Sequence, residues 1–292
     1  MDNRIGGGGR MPLIVRVLGL FNLNVLFCRL LRCKMLLVMT VNFTKFLNFV
    51  KCNNLMKKCA FTLAEVLITL GIIGVVAAIT LPILVQNYQK KVTLERLRST
   101  YSIISQAVRN SEVDNGPLET WDIPYSVWGN GTYNAGKQFF EIYLKPYLKY
   151  VKECGYLTDE CWPKEVKLQN GLKATYRSAE TNYTYSVVLS NGVVIGFAPN
   201  TRGCMQIYTD INGRSNPNTI GKDNYNIIIV AQHENVSNVI EDVSKSGVYF
   251  FGSGLDRTKL LNDNSYGCQK TGTYCGQLIF TDGWRMTKDY PW

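Results

Sequence analysis

Histidine is almost missing from this chain: His233 is the only one in 292 residues. A nucleophile–histidine relay or a histidine-built metal centre therefore has little to work with. His233 stands in the polar stretch A-Q-H-E-N-V-S, where nothing marks a catalytic partner, and it reads as a surface residue. No C-x-x-C spacing occurs among the nine cysteines, which weakens any zinc reading. A phosphate-cradling loop is also lacking, because the glycine run Gly6–Gly9 precedes neither a strand nor a helix pattern. The acidic pair Asp159-Glu160 lies in a Cys-flanked loop and reads as solvated surface. No internal repeat or low-complexity tract is present. The residues predict no enzyme and no resident cofactor.

Acid is scarce at one end only. Residues 1–60 hold ten Lys or Arg and a single acid, Asp2, whereas the rest of the chain holds 22 basic and 21 acidic residues. The formal charge of +10 is thus concentrated in the first 60 residues, and no nucleic-acid partner is expected for the remainder. Apolar stretches between Met11 and Lys51 are interrupted by Arg16, Arg29, Arg32 and Lys34, and none is long enough to span a bilayer. Met56 stands directly before a basic pair, Lys57-Lys58. The expectation is that translation starts at Met56 and that 1–55 reflects a start assigned too far upstream. An unusually long leader is the alternative. Either way residues 1–60 are a leader, outside the fold.

Residues 57–65 read K-K-C-A-F-T-L-A-E, and an almost unbroken apolar run extends from Val66 to Val85. About twenty helical residues rise roughly 30 Å, the thickness of a bilayer's hydrocarbon core. Glu65 sits at the edge of that run, where an unpaired carboxylate costs a few kcal/mol, so a partner is expected. Pro82 falls near the far end, and Gly71 and Gly74 weaken the helix between.

This segment resembles the N-terminus of type IV prepilins and of the pseudopilins of type II secretion systems. The resemblance implies cleavage between Ala60 and Phe61 by a prepilin peptidase, which also methylates the new amino group. Glu65 would then be the fifth residue of the mature chain. It would pair with the Phe61 amine of a neighbouring subunit and so direct assembly. Pro82 matches the position where the family's helix is kinked. One departure is visible: the family usually has Gly before the cut, and here it is Ala60, which is still small. The implied partners are the peptidase, other pilin or pseudopilin subunits, the inner membrane and a secretion or pilus assembly machinery.

Topology and cysteine usage agree with export. Lys57 and Lys58 hold their end on the cytoplasmic side, which places everything past about Val85 across the bacterial inner membrane, in the periplasm or in an extracellular filament. Downstream of Phe61 remain Cys154, Cys161, Cys204, Cys268 and Cys275. The close pairs Cys154/Cys161 and Cys268/Cys275 suggest two small disulfide loops, with Cys204 left over; buried free thiols are the alternative.

Beyond Pro82 an apolar stripe continues through Val85, Tyr88, Val92, Leu94, Leu97, Tyr101, Ile104 and Val108, with Lys90, Lys91, Glu95, Arg96 and Arg98 on the other faces. Asn110–Gly116 should break this helix. Residues 137–152 read as a short amphipathic helix flawed at Pro146. Strand patterns cover 181–190 and 193–198 around the type I′ hairpin signal Asn191-Gly192, then 205–208 and 225–230, with 276–281 as a last strand. The expected fold is α+β and pilin-like: a long kinked N-terminal helix, half membrane and half amphipathic, packed on a small antiparallel sheet. Its parts would be 61–85 for membrane and assembly, 86–112 for the amphipathic continuation, and 113–292 for the exported domain.

The loop D-I-N-G-R-S-N-P-N-T-I-G-K-D offers Asp210, Asn212 and Asp223 as hard oxygen ligands for Ca²⁺, although turn chemistry alone accounts for the same residues. Two function classes fit the chain. One is a filament subunit of a pseudopilus or pilus; the other is a membrane-tethered binding or adhesion module that forms no filament. Glu65 is expected to separate them, because a pure tether has no use for a carboxylate there.

Overall fold

The computed structural model describes residues 62–124, 129–156, 160–175, 183–200, 204–231 and 246–292. The chain divides into two units, 1–74 and 75–292. Helix α1, Leu63–Asn115, runs without interruption through Gly71, Gly74 and Pro82. Pro82 has no N–H, so the carbonyl of Ala78 loses its helical donor there, and this is where a bend is expected. The helix stops at Gly116, whose φ of 82° suits a residue without Cβ. The predicted break over 110–116 thus falls at its very end, since the helix continues through Asn115.

After a single 3₁₀ turn, Leu118–Thr120, come helix α2 (Asn130–Phe139) and a wider turn, Phe140–Leu144. Among the described residues six strands come next: β1 Tyr150–Cys154, β2 Tyr185–Leu189, β3 Val194–Asn200, β4 Cys204–Asp210, β5 Asn224–Val230 and β6 Gly247–Phe250. All are antiparallel to their neighbours in one sheet, in chain order. Helices α3 (Arg257–Asn262) and α4 (Cys275–Thr281) close the chain. The α+β class is as expected.

One row of side chains organises the core. Tyr185, Phe197, Ile207, Ile227 and Phe250 are directly opposed across five strands and therefore share a sheet face. Tyr101 of α1 stacks on Phe250 with centroids 4.9 Å apart, and its hydroxyl donates to the Val248 carbonyl at 2.8 Å. Phe140 meets both Tyr185 and Phe197. Of the α1 stripe, Leu97, Ile104 and Val108 are buried, while Val85 and Tyr88 are exposed. The opposite face of the sheet carries a smaller cluster, in which Trp162 donates to the Ser186 hydroxyl at 2.9 Å beside Cys154, Cys161 and Val194.

Three expectations are corrected. The helix predicted over 137–152 begins earlier, ends before Pro146, and gives way to strand β1. Apolar spacing around Pro146 suits either period, and Tyr150 and Val151 go to the open edge of β2. The last strand over 276–281 is helix α4 instead, closed at its N-terminus by Cys275 and allowed close to the Phe250 ring by Gly276. The hairpin after β2 is not type I′, because Gly192 is left-handed (φ 84°) but Asn191 is not. Asn191 instead accepts from the Val193 N–H, and Gly192 N–H bonds to the Leu189 carbonyl, giving a three-residue loop. Strand β6 and helix α3 carried too short a pattern to be predicted.

Gly136 decides how α2 lies on the sheet. A Cβ there would stand 2.3 Å from the Phe197 carbonyl oxygen. Gly→Ala in an open helix stabilises by about 1 kcal/mol, but Gly136→Ala should destabilise the domain by roughly 1–3 kcal/mol, because α2 must lift from β3. Thermal unfolding followed by circular dichroism checks the sign: Tm should fall, and an unchanged or higher Tm contradicts this packing.

Candidate functional site

Ala60 and Phe61 lie outside the described residues, as do Asp159 and His233. The head of α1 is described from Thr62. Its hydroxyl accepts the Glu65 N–H at 3.2 Å, while the Glu65 carboxylate accepts the Thr62 N–H at 2.9 Å and its hydroxyl at 3.0 Å. This reciprocal pair is a capping box, spelled T-x-x-E in the sequence, and it satisfies two donors that a helix start leaves open. Glu65 therefore has a partner within its own chain. The expectation that a plain tether would have no use for a carboxylate here is corrected: capping alone gives it one.

Behind that cap, the apolar run is bare. Leu67, Ile68, Leu70, Ile72, Ile73, Val75, Ile79, Leu81, Ile83 and Leu84 are all more than half exposed. Among the described residues this is the one helix long and apolar enough to cross a membrane. A continuous apolar surface of this size is not left to water, so it belongs in lipid or against other helices.

The second candidate is the loop between β4 and β5. Asp210, fully buried, is the last residue of β4, and Asp223, 2% exposed, precedes β5. The Asp223 oxygens accept the Asn218 N–H at 2.6 Å and the Thr219 N–H at 2.7 Å. Asp210 Oδ1 accepts the Asn212 N–H at 3.3 Å. Burial, and then the nearby Asp223 charge, push the Asp210 carboxyl well above its usual range; burial pushes Asp223 up to about 6. Asn212 sits beside both acids, so the three residues singled out from the sequence do come together. Asn218 joins them, which the spacing did not suggest. Among the described residues, no three Asp, Glu, His or Cys side chains converge as a metal-holding group. The Tyr225 and Tyr290 hydroxyls both donate to the Gly221 carbonyl and fasten the loop to the chain's end. Beside the loop opens a cleft of about 400 Å³, bounded by Tyr88, Val92 and Arg96 of α1, by Asn212 and Asp223, and by Trp292.

The described cysteines form two bridges, Cys154–Cys161 and Cys268–Cys275, and Cys204 lies buried outside both. The first holds Trp162 over the sheet. The second joins the segment after α3 to the head of α4. The C-terminal tail is held separately by Arg257, whose guanidinium binds Asp282 at 2.7 and 2.9 Å and Asp289 at 2.8 and 3.0 Å. Arg257 in turn holds the Asp289 carboxyl well below the usual range. Nothing in the sequence pairs these residues, since the two acids lie 25 and 32 positions from Arg257.

A membrane-length helix headed by this short motif, with a sheet domain after it, defines a pilin- or pseudopilin-type precursor. In agreement, residues 55–81 match the prokaryotic N-terminal methylation motif, the signature of type IV prepilins and pseudopilins. Residues 83–292 match the model of a family of unknown function, DUF6613, and the chain belongs to that family. No curated protein and no solved structure matches the chain. The motif implies processing by prepilin peptidase and assembly with other pilin subunits, and it favours a structural subunit over an enzyme.

Each bridge closes a short loop and should stabilise the domain by roughly 2–3 kcal/mol. A non-reducing peptide map should recover Cys154/Cys161 and Cys268/Cys275 peptides two hydrogens lighter than their reduced forms, with Cys204 alkylated only after unfolding. Alkylation of all five cysteines in native, unreduced protein contradicts these pairings.

Proposed function

We propose that this chain is a structural subunit of a type II secretion pseudopilus or of a type IV pilus-like filament. It is cut before Phe61, methylated there, and held as a single-pass protein of the bacterial inner membrane until assembly. Lys57 and Lys58 stay in the cytoplasm by the positive-inside bias, and residues 113–292 face the periplasm or the filament exterior. The observation that carries this reading is the bare apolar run of α1 joined to the methylation motif. Such a helix serves first as an anchor and then as the surface along which subunits pack. The Glu65 carboxylate pairs with the Phe61 amine of the next subunit, removing two charges from the edge of the bilayer together.

A second reading is favoured by one specific observation. The capping box gives Glu65 a purpose in a lone helix, as a membrane-tethered binding or adhesion module requires. The two readings part at one substitution. Glu65→Gln keeps the capping geometry, since Gln serves at this position of the box, but removes the charge. Filament yield in sheared or overexpressed preparations should fall at least tenfold, while membrane insertion and cleavage before Phe61 persist. Wild-type filament yield from Glu65→Gln means that capping is all this carboxylate does and sinks the charge-pairing account.

A further inference from the structure

The cleft between α1 and the β4–β5 loop opens just past the apolar run, and its walls are basic and aromatic. Arg96 of α1 and Lys222 of the loop line it together with Tyr88 and Trp292. Among the described residues, Lys90, Arg96 and Lys222 have no carboxylate within ion-pair distance. The Lys90 ammonium instead lies 6.0 Å over the Trp292 ring. Asp223 also borders the cleft, but it is buried and accepts the Asn218 and Thr219 N–H groups, so its charge is turned into the loop. Glu95, the nearest acid along α1, does not border the cleft. Trp292 is held in place by its neighbours: Gln169 Nε2 donates to the Pro291 carbonyl at 2.6 Å, and the buried Tyr290 hydroxyl donates to the Gly221 carbonyl.

Height along α1 selects the occupant. The apolar run ends at Val85, so at ~1.5 Å per residue Tyr88 stands about 5 Å beyond it and Val92 about 10 Å. A bilayer's headgroup layer is roughly 5–8 Å thick on each side. Helical side chains lean toward the N-terminus, which brings the Arg96 guanidinium back toward that layer. Tyr and Trp beside Lys and Arg at this level are the residues that settle at a membrane–water interface. We propose that this cleft receives the headgroup of an anionic phospholipid, with Arg96 and Lys222 for its phosphodiester and Tyr88 and Trp292 for its glycerol and upper chains. A cleft of about 400 Å³ is large enough for a phosphoglycerol headgroup whose acyl chains stay in the leaflet. A soluble phosphate would need the cations but not the two aromatic rings. A bound headgroup holds this side of the domain against the leaflet from which α1 emerges. The inference rests on the reading that α1 is anchored in a membrane up to Val85, and on nothing about filaments.

The full chain, purified from membranes in an uncharged detergent, is equilibrated with equal amounts of phosphatidylglycerol and phosphatidylcholine of matched chain length. Native mass spectrometry then weighs the lipid it retains. One phosphatidylglycerol per chain is expected, preferred over phosphatidylcholine by about fivefold or more, since one cation at an anionic membrane surface is worth about fivefold. Arg96→Gln with Lys222→Gln should remove the preference. Lys91→Gln with Arg98→Gln takes the same charge from α1 at positions that do not border the cleft, and should keep it. Glycerol phosphate in large excess should not displace the lipid. No preference in the wild type overturns the proposal. So does equal loss in the two double variants, which means a diffuse basic belt, or displacement by glycerol phosphate, which means a site for soluble anions. Alkaline carbonate separates this inference from the reading beneath it. A wild-type chain that resists extraction yet shows no preference overturns the cleft alone, whereas a chain that carbonate releases overturns the anchor and this inference with it.

Discussion

Everything in this chain bends around one constraint: α1 presents an apolar run that none of the described residues covers. From Val66 to Val85 the large side chains stand open. At about 25 cal/mol per Å² of apolar surface, leaving a membrane-length helix in water costs far more than a domain's whole stability. The run therefore belongs in an apolar environment, in lipid or against other helices. A sheet domain then has only the second half of the helix to pack against, and Leu97, Tyr101, Ile104 and Val108 are where it does so.

The same helix explains why the domain's core is built as it is. Tyr101 contributes a ring to the Phe250–Phe280–Trp284 group, so the sheet's last strand, α4 and α1 meet in one aromatic cluster. Phe139 and Phe140 carry the packing to the first strands. Away from that face, the domain relies on local fastenings: a disulfide over β1 to β3, a second at α4, and the Arg257 clamp on Asp282 and Asp289. Such fastenings suit a domain whose loops are long relative to its sheet.

Much of this was legible in the sequence, for physical reasons that differ by element. Helix α1 announced itself through length, the position of Pro82 and a stripe at three- and four-residue steps. Strands β2 to β5 showed through alternating Tyr, Val and Ile set off by Gly and Asn. The failures fall where a short apolar run satisfies both periods. Residues 276–281 became a helix because the Cys268 link and Gly276 set their geometry, and a window of six residues contains neither fact. In the loop between β4 and β5, Asp210, Asn212 and Asp223 could be singled out together from the sequence, but Asn218 beside them could not, since its place depends on a φ of 49°. The T-x-x-E box stands in the letters as well, hidden behind the more conspicuous charge at the edge of the apolar run. That box matters, because it shows that a carboxylate at the edge of the bilayer is not by itself proof of a partner chain.

The pilin reading therefore turns on whether Phe61 becomes a free, modified N-terminus. Intact and N-terminal peptide mass spectrometry of the protein extracted from membranes measures this directly. The expected result is a chain that begins at N-methylated Phe61. A mature chain that retains Met56, or anything upstream of it, would contradict that reading.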